Sequence, residues 1–280
     1  MPFDERTRIL LGDAGAERLV AARICVFGLG GVGAAAAMDL VRVGVGNLVV
    51  VDFDEVQESN LNRLYFGNHS TVGRAKTDVF IEAALQINPG IRIQKLDSLV
   101  RGAEAARSIP DDCDYYLDCI DTLNPKVNLM AELLRRGLPF ASSMGTAGRL
   151  APERLKAGSL WDSAGCPLAQ KVRQRLKRLG FGPPLGRSER RAAWVAAAAA
   201  KGRPEEGGMA TSNETMRKTV LCVWSDEPPV APALPSDGSL PGQVVNGERV
   251  RAIQGSAPFV PQAAGHLLAS LAVRAILALK

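Results

Sequence analysis

The chain alternates between two hydrophobic periods. Ile24 to Phe27 is a short unbroken apolar run, as expected of a strand buried on both faces. It runs directly into Gly28-Leu-Gly30-Gly31-Val-Gly33. Ala34 to Val43 then reads as a helix, and Leu48 to Val51 as a second strand ending at Asp52. Upstream, residues 4 to 22 read as a helix-rich arm with Ile9, Leu10, Leu11 and Leu19 apolar. Downstream, Lys76 to Leu85 is a helix with Val79, Phe80, Ala83 and Ala84 inward, stopped by Asn88-Pro89-Gly90. Ile91 to Leu96 alternates and makes a third strand. Asp114 to Asp118 makes a fourth, with Asp121 just past its end and a helix opening over Thr122 to Pro125. Phe140 to Gly148 reads as a strand leaving into a loop of small residues, and Val220 to Trp224 is another strand. Strands that alternate with helices predict an α/β fold, a Rossmann-like doubly wound sheet that is parallel with an antiparallel C-terminal extension.

The first of these units carries the candidate chemistry. Strand, glycine turn, helix, strand and acid is the context in which a G-x-G-x-x-G turn is credible. One glycine allows the tight turn, one lets backbone N–H groups approach a phosphate, and one lets helix and strand pack closely. The helix N-terminus adds orphan donors and a positive dipole end. Asp52, ending the second strand, is placed to accept from ribose hydroxyls. The turn alone does not choose between nucleotides, but the residues after it do. Asp52 is followed by Asp54, by Asn60 and Asn62 with Arg63, and by Lys76. Arg63 and Lys76 suit charge-assisted bonds to phosphate, and the asparagines suit orienting them. This set fits a triphosphate with its metal better than a nicotinamide. Ligands of open parallel sheets bind outside the carboxyl ends of the strands, so Asp52, Asp54 and Asp121 are expected to converge on one crevice. Mg²⁺ is commonly held there by one or two carboxylates plus substrate phosphates.

GLGGVG, DFDEVQESNLNR, VGRAK and LDCIDT together resemble the adenylation domain of the E1-like (ThiF/MoeB) family. Arg6-Thr7 before Ile9-Leu-Leu-Gly12, Ser142-Ser-Met-Gly145, Cys166-Pro-Leu-Ala169 and Gly255-Ser-Ala-Pro-Phe-Val-Pro261 are most similar to its tRNA threonylcarbamoyladenosine dehydratase group. The resemblance is strong to about Gly180, absent from about Pro183 to Arg217, and visible again from Val220. It implies ATP and Mg²⁺ as cofactors, with a monovalent cation in addition, and activation of a carboxylate that belongs to a modified adenosine of tRNA. It further implies catalytic roles for Arg63, Lys76, Asp121 and Arg6, the last reaching in trans across a homodimer. Nucleotide contacts are implied for Gly28, Gly30, Gly31, Gly33, Asp52, Asp54, Asn60, Asn62, Arg63, Lys76, Asp121 and Thr122, and the metal for Asp121. A sulfur-transfer partner is a further implication. One position departs from the family: Leu64 stands where a glutamine is usual, which removes one polar contact.

Charge is uneven. From Lys171 to Arg203 there are ten basic residues against one acid, Glu189, a local net of +9 on a chain whose total is +5. Lys171, Arg173, Arg175, Lys177 and Arg178 fall within eight residues, while Val172 and Leu176 keep one apolar stripe. A basic helix on a near-neutral body is the footprint of a phosphate-rich partner, and the family resemblance implies that this partner is tRNA.

With 280 residues, 46% of them hydrophobic, the chain fits one large α/β domain. The reading divides it into an ATP-binding unit over 1–180, a basic low-complexity insertion over 181–218, and C-terminal elements over 219–280 that complete the same domain. Within the insertion, Arg187 to Ala200 suits a short helix and Gly202 to Asn213 a disordered stretch. Pro228 to Gly247 reads as a loop. The five cysteines are scattered with no C-x-x-C, which points to free thiols and argues against the zinc site of many sulfur-carrier activators. Adenylation of a sulfur-carrier C-terminus is the competing enzyme reading, and Cys166 is its candidate acceptor thiol. A non-catalytic nucleotide-binding scaffold would be expected to lose Arg63, Lys76 or Asp121. The charged N-terminus lacks a signal pattern, which suggests the cytoplasm. Phe259 to Leu279 is long enough to span a bilayer. Two prolines open it, Arg274 lies inside it and alanine dominates, so it reads as a core or dimer helix, with no stable membrane insertion expected.

Overall fold

The computed structural model describes residues 3–97, 109–184, 216–217, 219–233, 244–245, 248–249 and 254–279. The expected helix over Arg187–Ala200, the stretch 202–213 and most of the second half of the 228–247 loop lie outside these. The strands of the main sheet are β1 (Arg23–Phe27), β2 (Asn47–Val51), β3 (Arg92–Leu96), β4 (Tyr115–Asp118), β5 (Phe140–Ser143), β6 (Leu155–Ser159) and β7 (Leu221–Ser225). The helices are α1 (Glu5–Ala21), α2 (Gly31–Val43), α3 (Lys76–Ile87), α4 (Leu123–Arg136), α5 (Pro167–Arg178) and α6 (Phe259–Leu277).

The strand order is β3-β2-β1-β4-β5-β7-β6. All neighbours are parallel except β6 and β7. The antiparallel pairing expected near the C-terminus is therefore made, and its reversed member is β6. That strand has an exposed, polar pattern and a glycine, so no apolar run announces it. β7 runs parallel to β5. Chain order reverses between β1 and β4, which opens the crevice at the carboxyl ends of these strands. The register levels those ends. Phe27 sits beside Val51 and Asp118, and Asp118 beside Ser142.

The central strands are apolar throughout because both faces are covered. Ile24 and Val26 join a cluster with residues of α2, α3 and α6, whereas Cys25, Phe27 and Tyr116 face a second cluster with residues of α4 and α5. Edge strand β3 is exposed and carries Arg92 and Lys95, as unpaired edges commonly do. Leu64 falls in the first cluster, so the departure noted above is converted into core packing. All five cysteines are buried free thiols.

α6 is the one helix among the described residues with the length and apolarity to cross a membrane. It packs its Ala264, Leu268 and Ala272 side into the core against α2, β4 and β5, and Val260 on the same side is buried. Gly265 lies directly over the Val32 carbonyl and the Ala35 side chain, leaving no room for a Cβ. α1 bends at Gly12, and its outer half leaves Ile9 and Leu10 exposed.

Candidate functional site

The glycine turn closes where β1 ends. Gly28 has φ +87° and donates its N–H to the Val51 carbonyl at 2.8 Å, so the turn is pinned to β2. Gly30 is the N-cap of α2, and Gly31 and Gly33 lie in its first turn, which starts three residues earlier than the sequence suggested. No side chain caps this helix end, so its first N–H groups face the crevice as donors for an anion. A Cβ on Gly33 would overlap the Gly28 carbonyl, whereas a Cβ on Gly30 would meet nothing within 4 Å. Gly33 thus serves packing, and Gly30 leaves open the approach to the backbone.

Asp52 is buried and bound to this turn. One carboxylate oxygen accepts from Leu29 N–H, and the other accepts from Asp54 N–H at 2.8 Å. Burial raises its pKa above the usual carboxylate value, while the neighbouring Lys76 charge and these two amides oppose the rise. The second lone pair of each oxygen remains for a ligand hydroxyl. Lys76 opens α3 and is itself buried; its Nζ lies 2.8 Å from Asp54 Oδ2, and its N–H donates to the Asp54 carbonyl at 3.0 Å. The Asp54 side chain is half exposed, so the ammonium is held at the crevice with one partner open to exchange.

The segment after β2 holds the other cation. Asn60 ends a one-turn 3₁₀ helix whose N-cap is Gln57, and its Oδ1 accepts from Gln57 N–H at 3.3 Å. Arg63 donates to the Ser59 carbonyl and to Asn62 Oδ1, both at 2.9 Å. Asn62 Nδ2 donates to the Ser256 carbonyl at 2.8 Å, which ties this turn to the segment preceding α6. A Cβ on Gly31 would lie 3.2 Å from both the Arg63 side chain and Pro261. Arg63 therefore stands beside the glycine turn, with its guanidinium oriented by Asn62.

Asp121 is exposed three residues past the end of β4. The N-cap of α4 is Thr122, also exposed, and no side chain caps that helix either. Among the described residues no three His, Cys, Asp or Glu groups gather as a metal site. A divalent cation at Asp121 would take its remaining ligands from phosphate oxygens and water, which is the habit of Mg²⁺. Arg6 is exposed on the first turn of α1.

The basic helix α5 buries Ala169, Val172 and Leu176. Lys171, Arg175, Lys177 and Arg178 are exposed. Arg173 differs from them: its Nη1 donates to the Ser163 carbonyl at 2.6 Å and holds the turn before the helix. Arg175 Nη1 donates to Asn124 Oδ1 at 3.3 Å, so the basic face adjoins the first turn of α4, next to Asp121.

Two buried polar groups were not legible beforehand. Lys126, Asp118 and Ser142 form a network without solvent exposure behind Asp121. Arg149, at the end of the small-residue loop, donates to the carbonyls of Gly145 at 2.6 Å and Glu227 at 2.9 Å. The available signals were a carboxylate ending an apolar strand and a lysine on the inward stripe of α4.

Residues 5–154 match the model of the ThiF family. The tRNA threonylcarbamoyladenosine dehydratase of Escherichia coli K12 is 35% identical over 171 residues, covering 61% of this chain and 64% of that protein. The protein of the same name from Bacillus subtilis 168 is 34% identical over 176 residues, covering 63% of this chain and 69% of that one. The aligned sequence thus spans slightly under two thirds of the E. coli relative. In three dimensions the likeness is longer. The crystal structure of the E. coli dehydratase, TcdA, in complex with ATP superposes with TM-score 0.76 at 28% identity, over 98% of this chain and 93% of that one.

Proposed function

The chain belongs to the ThiF family, and from that premise we propose that it is an ATP-dependent tRNA threonylcarbamoyladenosine dehydratase. The observation that carries this reading is the near full-length likeness to a dehydratase solved with ATP, over a crevice whose donors suit a triphosphate. In the proposed reaction a carboxylate oxygen of the modified adenosine attacks the α-phosphorus of ATP. The bond to pyrophosphate breaks and an acyl-adenylate forms. A nucleophile within the same modification then attacks the activated carbonyl carbon, its proton passes to solvent, and the C–O bond to AMP breaks. The oxygen formally lost as water leaves on AMP. The chain needs no nucleophile of its own, since positioning and charge screening carry most of the barrier reduction.

The turn of Gly28, Gly30 and Gly31 with the first N–H groups of α2 receives phosphate, and Gly33 contributes by the close packing that sets this turn. Asp52 accepts from the ribose. Arg63, Lys76 and the partner chain's Arg6 neutralise phosphate charge; Asn62 orients Arg63, and Asn60 holds the turn that carries both. Asp121, next to Thr122, would hold Mg²⁺ with help from Asp54. When bound, Mg²⁺ would supply positive charge that offsets the phosphates. Lys171, Arg175, Lys177 and Arg178 meet the tRNA backbone, while Arg173 supports the helix that presents them. Residues 1–180 and 219–280 act as one catalytic unit, with 181–218 as an insertion. A cytoplasmic homodimer, a sulfur-transfer partner and a structural monovalent cation complete the proposal.

The test is incubation of the protein with ATP, Mg²⁺ and tRNA bearing threonylcarbamoyladenosine, followed by mass analysis of the nucleosides. Loss of the mass of one water, dependent on ATP, is expected. An unchanged nucleoside alongside adenylation of a sulfur-carrier C-terminus would replace this reading with the competing one. The burial of Cys166 weighs against that outcome, because an acceptor thiol must meet its acyl donor.

A further inference from the structure

The connection from β4 to α4 carries Asp121, and both ends of that connection are joined by a buried ion pair. Asp118 is the last residue of β4 and Lys126 closes the first turn of α4; both side chains have 0% exposure. Lys126 Nζ lies 2.6 Å from Asp118 Oδ2 and donates to Ser142 Oγ at 3.1 Å. Ser142 Oγ donates to the same Asp118 oxygen at 2.7 Å. The other oxygen, Asp118 Oδ1, accepts from the N–H of Ile120 at 3.1 Å, the residue immediately before Asp121. One carboxylate therefore fixes the exit of β4, the exit of β5 and the start of α4 relative to each other.

Stability does not explain this network. A buried ion pair commonly gains nothing over apolar residues of similar volume, because desolvation offsets the attraction. The lysine is opposed twice, by its burial and by the positive end of the α4 dipole. What the network supplies is a defined geometry for the turn between its anchors. Period-two alternation places Asp118 on the same face as Tyr116, beneath α4, so its charge points away from the crevice. It acts on the crevice only through the backbone it holds. The same Ser142 lies one residue before the end of β5, ahead of the small-residue loop that leads to Gly145 and Gly148, so the exits of β4 and β5 share one anchor.

We infer that Lys126, Asp118 and Ser142 are positioning residues that set Asp121 for the metal of the bound nucleotide. The inference rests on the assignment of Asp121 to the metal and deepens it. The probe is α,β-methylene ATP, titrated calorimetrically at a series of Mg²⁺ concentrations without tRNA. Four proteins are compared: wild type, Asp121→Ala, Ser142→Ala, and the double variant Asp118→Leu with Lys126→Met. The double variant removes both charges together, so no single charge is left buried. Groups that orient a metal ligand typically contribute 10- to 100-fold in metal affinity, so the Mg²⁺ needed for half-maximal binding should rise about tenfold in the double variant and less in Ser142→Ala. Affinity for the metal-free nucleotide and the unfolding temperature should stay near wild type, which a merely structural role for the network would not predict.

A folded double variant with wild-type Mg²⁺ dependence overturns the inference. Should that variant fail to fold, Ser142→Ala decides, and unchanged Mg²⁺ dependence there overturns it equally. If Asp121→Ala also leaves the Mg²⁺ dependence untouched, the metal assignment itself falls. If only Asp121→Ala changes it, the assignment stands and the network is exonerated.

Discussion

Gly33 sets two expectations against each other. It lies in the first turn of α2, where helix propensity alone makes alanine better than glycine by about 1 kcal/mol. The geometry says the opposite. A Cβ there would sit 2.9 Å from the Gly28 carbonyl carbon and 3.1 Å from Cys119 Cβ, with the Gly28 oxygen closer still. Real Cβ contacts essentially never fall under 3.0 Å. Both groups on the Gly28 side are backbone, pinned by the Gly28-to-Val51 hydrogen bond at 2.8 Å, so no flexible side-chain tip can yield. α2 must therefore shift away from β1. Overpacking of this kind costs about 1–3 kcal/mol, and a rigid backbone contact belongs at the upper end. After the propensity gain, a net loss of about 2 kcal/mol is expected for Gly33→Ala, or a fall in unfolding temperature of about 4–8 °C at this chain size. ATP affinity should fall with it, because the shift moves the donors at the start of α2. Gly30→Ala is the control. Its Cβ meets nothing within 4 Å and its φ is −79°, so stability should stay within about 1 kcal/mol of wild type while ATP binding weakens. Thermal unfolding and nucleotide titration of the two variants side by side measure both effects. A Gly33→Ala protein as stable as wild type, with unaltered ATP affinity, would refute the close-packing argument.

Three other outcomes are expected. Replacing Lys171, Arg175, Lys177 and Arg178 by alanine should reduce the salt slope of tRNA binding by up to about 3 units and leave ATP affinity unchanged; Arg173→Ala should instead lower thermal stability, because its Nη1 serves the Ser163 carbonyl. Titrating labelled tRNA at several salt concentrations separates the two, and identical slopes would reduce the exposed face to solvated charge. Arg6→Ala and Lys76→Ala chains, each impaired alone, should recover about a quarter of wild-type activity when mixed, since random exchange makes half the dimers mixed with one intact site each; no recovery after verified exchange would remove the in-trans role. The Glu227 carboxylate accepts from the backbone N–H groups of Leu150 and Ala151, which hold its pKa below the usual glutamate value. A carboxyl lowered on folding stabilises above its unfolded value of 4.5 and loses that contribution as pH falls through the folded value. Glu227→Gln should thus be less stable than wild type at neutral pH, with the gap closing in acid; a gap independent of pH would exclude the charge as its cause.

Whatever depends on neighbours along the chain was legible in residue order. The glycine turn, the buried strands β1 and β2, the acid ending at Asp52 and the basic stripe of α5 are local patterns, and local patterns set backbone conformation and facing. The carboxyl-end crevice also followed, because an open parallel sheet leaves few topologies. Asp52 was expected at the crevice beside the glycine turn, and it is bonded to that turn; the ion pair of Asp54 with Lys76 was not expected, since residue order had set Lys76 against phosphate and Asp54 beside the metal. Tertiary structure alone decided the rest. β6 has no apolar run to reveal it, since one exposed edge strand needs only a backbone partner, and β7 supplies that. Arg173 shares a helix with four exposed cations, but the turn at Ser163 lies beneath it and draws it inward. Leu64 looked like a lost polar contact and became core once Phe66 and Gly67 folded against the same cluster. Lys126 and Asp118 are eight residues apart with opposite charges, an ordinary surface spacing in a list of residues. Only the stacking of α4 on β4, with Ser142 arriving from β5, excludes water from the pair and turns two charges into a fixed anchor behind Asp121.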